Sequence, residues 1–165
     1  MSHAMTIDTT AAARVAALLI ARRQTLAVSE SSTGGLISAA LLSVPGASAY
    51  FLGGGVIYTK PAREGLLGIT ADMMAGIRSA TEPMARLLAG TVKARLGADW
   101  GLAETGATGP KGNRYGDAAG HCCLAVAGPH PISRVLETGD SDRMANMVVF
   151  ADAAIALLEE ALSAR

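Results

Sequence analysis

The sequence predicts a single α/β domain over residues 1–165, in which helices cover both faces of a largely parallel sheet in a three-layer α/β/α arrangement. The first observation is that apolar patterns of helical period alternate with short runs of β-forming residues. The second is a chain of 165 residues without an internal repeat or a linker, long enough to bury its own core. The third is an excess of small residues, 33 Ala and 19 Gly, which favours closely packed backbones because only 4% of the residues are aromatic.

The amino-terminal part predicts two helices and two strands. The elements are a helix from Asp8 to near Gln24, a strand over 25–28, a helix over 34–42 and a strand over 53–58. Asp8 marks a helix start because a short polar side chain accepts an unpaired amide hydrogen there. Residues 43–46 contain Pro and Gly, and they end the second helix because proline cannot continue it.

The middle of the chain predicts three helices and a strand. They are short helices over 61–67 and 71–77, a long helix from Thr81 to Leu96 and a third strand over 100–104. Pro83 supports the start of the long helix, since proline is favoured in a first helical turn.

The carboxyl-terminal part predicts a glycine-rich loop over 105–119, two strands and a last helix. The strands cover 121–127 and 132–136, and the proline-containing turn between them indicates an antiparallel pair. Asp142 begins the last helix, whose apolar residues recur at helical spacing.

Charge and cysteine content exclude several classes of function. Fourteen basic residues balance 14 acidic ones, which argues against a nucleic-acid partner, and no apolar run is long enough for a membrane span. The neighbours Cys122 and Cys123 fit buried strand positions rather than a disulfide framework or a zinc site. We therefore expect no metal and a reducing cytoplasm. Residues 1–5 have no signal-peptide pattern and are interpreted as an expression remnant or a disordered start.

Glycine is concentrated where a ligand would bind in such a fold. Eleven of the 19 glycines lie in two windows, 34–55 and 106–120. Both windows follow predicted strands, and ligands of open α/β sheets gather at the carboxyl ends of strands.

The first window begins after a strand and leads into a helix. Its candidate binding residues are Glu30, Ser31, Thr33, Gly34 and Gly35. Free amide hydrogens and the positive end of the helix dipole would favour a phosphate or carboxylate there. The alternative is that Thr33 merely caps the helix.

The second window contains Thr105, Gly106 and Gly109, followed by the basic residues Lys111 and Arg114. It is neither a Walker A loop, which needs Ser or Thr directly after the lysine, nor a dinucleotide fingerprint. A backbone cradle with two basic side chains remains, and a rigid surface loop is the alternative.

A Ser-His-Asp set is poorly supported, because neither His121 nor His130 forms a motif with a serine. Hydroxyl groups with basic neighbours lie elsewhere, at Ser48, Tyr58, Lys60 and Arg63.

Six ordered stretches resemble a known family. They are 30–35 (ESSTGG), 44–51 (VPGASAYF), 54–58 (GGVIY), 66–69 (LLGI), 81–83 (TEP) and 105–110 (TGATGP). On these residues, from about residue 10 to the end, the sequence resembles the CinA C-terminal family, also called nicotinamide-nucleotide amidohydrolases. The resemblance implies a mixed five-stranded sheet and deamidation of nicotinamide mononucleotide to nicotinic acid mononucleotide and ammonia, without a metal or an organic cofactor.

The resemblance also implies roles for single residues. The family's serine nucleophile falls on Ser48 and its tyrosine on Tyr58, and the two glycine windows would hold the nucleotide. The family's lysine base, five residues after the tyrosine, is replaced here by Arg63, which stays protonated and cannot act as a base. Lys60 is the candidate replacement, and Arg63 is free to bind phosphate. The family's basic residue in the last helix falls near Ala145, with Arg143 close by.

Three functions stay open at this point. The first is an amidohydrolase acting on nicotinamide mononucleotide or another small amide. The second is a non-catalytic nucleotide-binding module that has lost its base at Arg63. The third is a structural oligomer subunit, and surfaces rich in small residues make a homo-oligomer the expected assembly in each case.

Overall fold

In the part of the chain that the structure describes, five strands form one mixed sheet in the order β2-β1-β3-β4-β5. The computed structural model describes residues 7–165, and the prediction for residues 1–5 lies outside the described residues. The strands are β1 (Leu26–Glu30), β2 (Phe51–Val56), β3 (Trp100–Ala107), β4 (His121–Ala127) and β5 (Ile132–Glu137). β1 pairs in parallel with β2 and β3, whereas β4 is antiparallel to both β3 and β5. Four strands therefore point one way, and the predicted mixed, mostly parallel sheet and its antiparallel last pair are confirmed.

Within residues 7–165, five helices cover the two faces of this sheet. They are α1 (Thr9–Arg22), α2 (Leu36–Leu42), α3 (Lys60–Leu67), α4 (Glu82–Leu96) and α5 (Arg143–Ser163). Residues of α1, α2 and α5 share one apolar cluster with Val28 and Leu102, while those of α3 and α4 share another with Ala27 and Ala103. Because successive strand residues point to opposite faces, this division gives the predicted three layers. Asp8 and Asp142 cap α1 and α5 as predicted.

Small residues let α4 lie very close to the sheet. A Cβ atom added at Gly101 would lie 2.1 Å from the carbonyl oxygen of Ala89 in α4. Alanines of β1, β3 and β4 lie on this face together with Cys123. The excess of small side chains thus contributes to packing, as the composition indicates.

Several boundaries differ from the prediction for local reasons. Residues 71–77 form turns instead of a helix, and Gly76, with a φ of 74°, lies within them. α2 begins at Leu36, because Gly34 and Gly35 have positive φ values of 63° and 104°. β3 extends to Ala107, so part of the second glycine window belongs to a strand.

The strand order creates a crevice where β1 and β3 end. The chain leaves β1 towards β2 on one side and reaches β3 on the other, so the loops after β1 and β3 separate at the carboxyl edge of the sheet. Among the described residues, no helix has the length and apolar character of a membrane span.

Candidate functional site

A pocket of about 400 Å³ lies at this crevice. Six of the residues proposed from the sequence line it: Ser31, Tyr58, Lys60, Arg63, Thr105 and Gly106. Ser79, Ala80 and Tyr115 also line it and were missed by sequence reasoning, because they come from turns without a recognisable motif. The second glycine window thus contributes to this pocket, whereas Gly34, Gly35 and the rest of the first window do not line it, and the turns before α4 complete its wall.

The pocket carries an excess of positive charge. Lys60, Arg63 and Arg114 line it, and none of its described lining residues is Asp or Glu. The whole chain has a formal net charge of zero, so this concentration of cations is local. Hydroxyl groups of Ser31 and Thr105 lie among the cations, which suits a ligand with a phosphate group.

Glu30 occupies the helix end that the sequence suggests for a ligand. Its buried carboxylate accepts hydrogen bonds from the backbone amides of Gly35 at 3.1 Å and of Ile37 and Ser38 at 2.9 Å. The anion at the start of α2 is therefore a side chain of the protein. Glu30 and Thr33 face the interior, so neither contacts a ligand in this geometry, contrary to their proposed binding role.

A second buried carboxylate, Glu104 of β3, binds the loop over 31–35 from the interior of the sheet. It accepts hydrogen bonds from the amides of Ser31 at 2.9 Å and Thr33 at 3.0 Å, and from the hydroxyl groups of Ser32 and Thr33. Sequence reasoning missed Glu104, although a carboxylate within an apolar strand is a signal for a buried role. The loop over 31–35 is thus fixed by the protein alone.

The two carboxylates share the hydroxyl group of Thr33. Thr33 Oγ1 lies 2.8 Å from an oxygen of Glu30 and 2.8 Å from an oxygen of Glu104, but it carries a single proton. Burial raises the pKa of Glu104, against the lowering effect of the hydrogen bonds from Ser31, Ser32 and Thr33. When Glu104 carries a proton, it can donate that proton to Thr33 Oγ1, so both contacts of this hydroxyl group are hydrogen bonds.

We expect Glu104→Ala to lower the free energy of unfolding by at least about 3 kcal/mol, because each buried amide that loses its acceptor costs about 1–3 kcal/mol. Glu104→Gln resembles the protonated acid and should cost clearly less. Urea denaturation followed by the fluorescence of the buried Trp100 measures both, with the exposed Glu64→Ala as control. A Glu104→Ala protein within 1 kcal/mol of the wild type would contradict this role for the carboxylate.

Ala80 forms a strained part of the pocket wall. Its φ of 58° lies in the left-handed region, which costs a non-glycine residue about 1–2 kcal/mol. Its amide donates to Thr105 Oγ1 at 3.2 Å, and its carbonyl accepts from His121 Nε2 at 2.8 Å. Thr105 and His121 thus hold this backbone conformation at the pocket.

His121 contacts acceptors with both of its ring nitrogens. Nε2 donates to the carbonyl of Ala80, while Nδ1 lies against the carboxylate of Glu137 in β5. From Nε2 the distance to Asp117 Oδ2 is 3.9 Å, and the distance to the Sγ atom of Cys123 is 3.6 Å. Burial lowers the pKa of His121, but the contacts with Glu137, Ala80 and Asp117 outweigh it and raise the pKa above 6.5. The charged imidazolium fits this setting.

This raised pKa predicts a pH-dependent stability. The contribution of His121 is fully present below the unfolded-state pKa and is lost as the pH rises through the folded-state pKa. We expect the free energy of unfolding to fall by about 1 kcal/mol above that range, the net size of a typical hydrogen bond, because the partner Glu137 is more than half exposed. His121→Gln should remove this slope and His130→Gln, at an exposed turn, should keep it. Equal slopes in the wild type and His121→Gln would contradict the assignment.

The two basic residues after β2 have different partners. Arg63 donates from Nη1 to the hydroxyl oxygen of Ser79 at 3.2 Å. Lys60 Nζ lies 3.8 Å from Glu64 Oε1 in an exposed pair, which binds it weakly. Lys60 therefore remains available to a ligand in the pocket.

Arg143 links Tyr58 to the second glycine window. Its guanidinium donates to the carbonyl of Gly109 at 2.6 Å and to the exposed hydroxyl oxygen of Tyr58 at 3.4 Å. Gly109 is buried against the start of α5 and contributes to the site through this contact. Arg143 thus supplies a further cation beside Tyr58.

Ser48 does not lie in this pocket. It is exposed in a single 3-10 turn, Ala47–Ala49, before β2, and Tyr58 follows the other end of that strand. A strand of this length spans about 16 Å at about 3.3 Å per residue, so the two side chains lie beyond opposite ends of β2. Within one chain, Tyr58, Lys60 and Arg63 therefore line the pocket, whereas Ser48 lies outside it.

In the described part of the chain, neither the cysteines nor the His, Asp and Glu residues form a disulfide or a metal site. Cys122 and Cys123 are buried free thiols on opposite faces of β4, as predicted, and burial raises the pKa of Cys123 to about 12. Within residues 7–165, no group of three His, Cys, Asp or Glu side chains is arranged to hold a metal ion.

Comparison of the sequence with known proteins matches one family and its members. The family model described as the CinA C-terminal domain matches residues 8–162. The chain is 42% identical over 123 residues to a CinA-like protein of Prochlorococcus marinus (strain MIT 9313), covering 74% of this chain and 29% of that protein. It is 39% identical over 138 residues to a CinA-like protein of Anaeromyxobacter sp. (strain K), covering 82% and 34%. The chain thus spans about a third of the length of these curated relatives.

Solved structures show the same fold over nearly the whole chain. A CinA superfamily protein from Klebsiella pneumoniae 700603 superimposes with a TM-score of 0.87 at 28% identity, covering 94% of this chain and 97% of that one. A competence/damage-inducible protein from Agrobacterium tumefaciens gives a TM-score of 0.87 at 25% identity, covering 98% and 99%.

Proposed function

Because the chain belongs to the CinA C-terminal domain family, we propose that it is an amidohydrolase that converts nicotinamide mononucleotide to nicotinic acid mononucleotide and ammonia. The observation that carries the proposal is the pocket lined by Lys60, Arg63 and Arg114 without an acidic side chain. Its volume of about 400 Å³ lies within the usual range for small-molecule sites.

The charges of the pocket suit the phosphate end of this substrate. Guanidinium groups bind phosphate in a bidentate manner, and Arg114 and Arg63 offer two of them at one pocket. Each guanidinium remains charged at any working pH, so binding of the phosphate should vary little with pH on the protein side.

The reaction requires a nucleophile, a base and donors to the developing oxyanion. In the proposed step the hydroxyl oxygen of Ser48, the position of the family's serine nucleophile, bonds to the carboxamide carbon, and its proton passes to the base. Because Ser48 lies outside the pocket of its own chain, it would have to reach the substrate from a second copy of the chain. Collapse of the tetrahedral intermediate breaks the C–N bond, and the leaving nitrogen takes that proton to form ammonia. Water then hydrolyses the acyl-serine ester to the carboxylate and frees Ser48. We assign the proton relay to Tyr58, which lines the pocket and accepts a hydrogen bond from Arg143.

This chain departs from its family in the residue that would act as the base. Arg63 cannot accept a proton, and its guanidinium donates to Ser79. Lys60 lines the same pocket beside Arg63, and its amine has only a long, exposed contact of 3.8 Å with Glu64 Oε1. We assign the base to Lys60 on this ground.

The second candidate is a nucleotide-binding module without catalysis, which the arginine at position 63 favours. Incubation of the purified chain with nicotinamide mononucleotide, with ammonia measured by a coupled enzymatic assay, separates the two. Ammonia release supports the amidohydrolase. Binding in a calorimeter without ammonia supports the module, and the absence of both contradicts a nucleotide site. A panel of small amides without phosphate tests whether the phosphate is required.

A further inference from the structure

The pocket proposed for the nucleotide continues into a second lobe. A cavity of about 310 Å³ lies beside the pocket of about 400 Å³ and shares four lining residues with it: Lys60, Arg63, Ser79 and Tyr115. Each of the two cavities alone has the volume of a small-molecule site. We call the larger cavity the first lobe and the smaller one the second lobe, and the shared residues lie where the two lobes meet.

The second lobe offers apolar walls to a ligand. Ile69, Met74 and Ile77 line it, and all three side chains are part of, or pack against, the apolar cluster that contains residues of α3 and α4. The exposed Ala71 completes this wall. A thioether such as that of Met74 makes favourable contacts with aromatic rings, so a planar heterocycle suits this lobe.

The free positive charge is concentrated where the two lobes meet. Lys60 and Arg63 line both lobes, and the nearest carboxylate oxygen to Lys60 Nζ, that of Glu64, is 3.8 Å away in an exposed contact. Within the second lobe, Arg78 donates to the carboxylate of Asp117 at 2.7 Å and 3.1 Å, so its charge is already paired. An anionic group is therefore expected between the lobes, with one organic group on either side of it.

Tyr115 is a fixed part of the wall that the two lobes share. The centroid of its ring lies 5.2 Å from the guanidinium carbon of Arg78 and 5.6 Å from that of Arg114. Asn113 Oδ1 accepts from the amides of Tyr115 at 3.0 Å and Asp117 at 3.1 Å, which holds the turn that carries the ring. A ligand that spans both lobes thus finds this wall already formed.

A dinucleotide has the distribution of groups that the two lobes require. Its two phosphates lie between two nucleosides, whereas a mononucleotide carries its phosphate at one end and would leave the second lobe empty. With nicotinamide and its ribose in the first lobe, the two phosphates reach Lys60 and Arg63. The guanidinium of Arg63 donates to Ser79 at 3.2 Å and has further N–H groups for phosphate oxygens.

We propose that the second lobe binds a second nucleoside and that the preferred substrate of this site is a dinucleotide with nicotinamide at one end and a purine at the other. The choice of substrate rests on the proposed function, whereas binding in the second lobe does not. The chemistry is that of the mononucleotide: water supplies the oxygen atom, the carboxamide C–N bond breaks, and the products are ammonia and the nicotinic acid dinucleotide.

Calorimetric binding to the full chain tests the second lobe without any measurement of activity. We expect nicotinamide adenine dinucleotide to bind at least about tenfold more tightly than nicotinamide mononucleotide, because it makes the contacts of both lobes. Ala71→Trp places a large ring in the second lobe and should remove this difference, while the affinity for the mononucleotide stays within about twofold. Ala75→Trp, exposed in the same turns but outside the lobe, is the matched control. A dinucleotide that binds no more tightly than the mononucleotide, or an Ala71→Trp chain that loses both equally, would overturn the inference.

Adenosine diphosphate distinguishes a joined dinucleotide from a free second nucleotide. It carries the purine and two phosphates, so it should displace nicotinamide mononucleotide from the place where the lobes meet. Simultaneous binding of the two would identify a separate nucleotide site and overturn the inference.

Ammonia release separates the inference from the proposed function. The wild type should deamidate the dinucleotide with a kcat/KM at least about tenfold above that for the mononucleotide. Ammonia from the mononucleotide without a preference for the dinucleotide would support the proposed function and overturn the inference. Dinucleotide binding that Ala71→Trp weakens, without ammonia from either nucleotide, would count against the proposed function and support the second lobe.

Discussion

Replacement of Ser48 by alanine is expected to lower kcat for the deamidation of nicotinamide mononucleotide by at least about 10³-fold, because no other group would form the acyl intermediate. Nucleotide affinity should change little, since the cations Lys60, Arg63 and Arg114 remain in place. Stability should also be kept, because Ser48 is exposed in a short turn.

Ammonia release, calorimetric binding and urea denaturation check these three expectations separately. Ser163→Ala, at an exposed position near the end of α5, is the matched control and should keep full activity. A Ser48→Ala protein with activity within about tenfold of the wild type would move the nucleophile to a hydroxyl inside the pocket, such as Ser31 or Ser79.

The second large effect is a gain of activity. Arg63→Lys restores the residue type of the family's base, and general-base catalysis typically contributes 10²–10⁴-fold. We expect kcat to rise by about 10²-fold or more, because Lys60 lies three residues before the position of the family's base and replaces that base only in part. The neighbouring charges of Lys60 and Arg114 should lower the pKa of the new amine, and kcat should rise with pH as that amine loses its proton.

The pH profile of kcat for the wild type and the variant provides the measurement. Arg114→Lys makes the same chemical change in the same pocket and should bring no gain. An Arg63→Lys variant without a gain would support Lys60 as a sufficient base if the wild type is active. A gain from an inactive wild type would identify the chain as a binding module that lost its base.

Local signals in the sequence predict most of the fold. The helical spacing of apolar residues, the caps Asp8 and Asp142 and the breaks at proline and glycine correspond to observed helices. The failures are also local. The apolar spacing over 71–77 resembles a helix, but these residues form turns that include Gly76. The limits of β2 depend on its pairing with β1, since glycine has low strand propensity by itself.

The candidate site is predicted in location more fully than in composition. The second glycine window lines the pocket, because the end of a strand and the backbone freedom of glycine can both be recognised in a sequence, whereas the first window lies outside it. Burial is not, so Glu30 is interpreted as a ligand contact although its carboxylate serves α2. The predicted strand over 53–58 includes Tyr58, whereas β2 covers Phe51–Val56 and Tyr58 follows it. The prediction therefore does not show that Ser48 and Tyr58 lie at opposite ends of the same strand.

The two interior carboxylates beneath the pocket have a thermodynamic consequence for any ligand. Glu30 and Glu104 already fix the loop over 31–35 through hydrogen bonds within the protein. A ligand that enters the pocket therefore does not have to order this loop, and the entropy loss that accompanies induced fit is small there. The site is preorganised on this side, and any adjustment on binding falls to the long side chains of Lys60, Arg63 and Arg114 opposite.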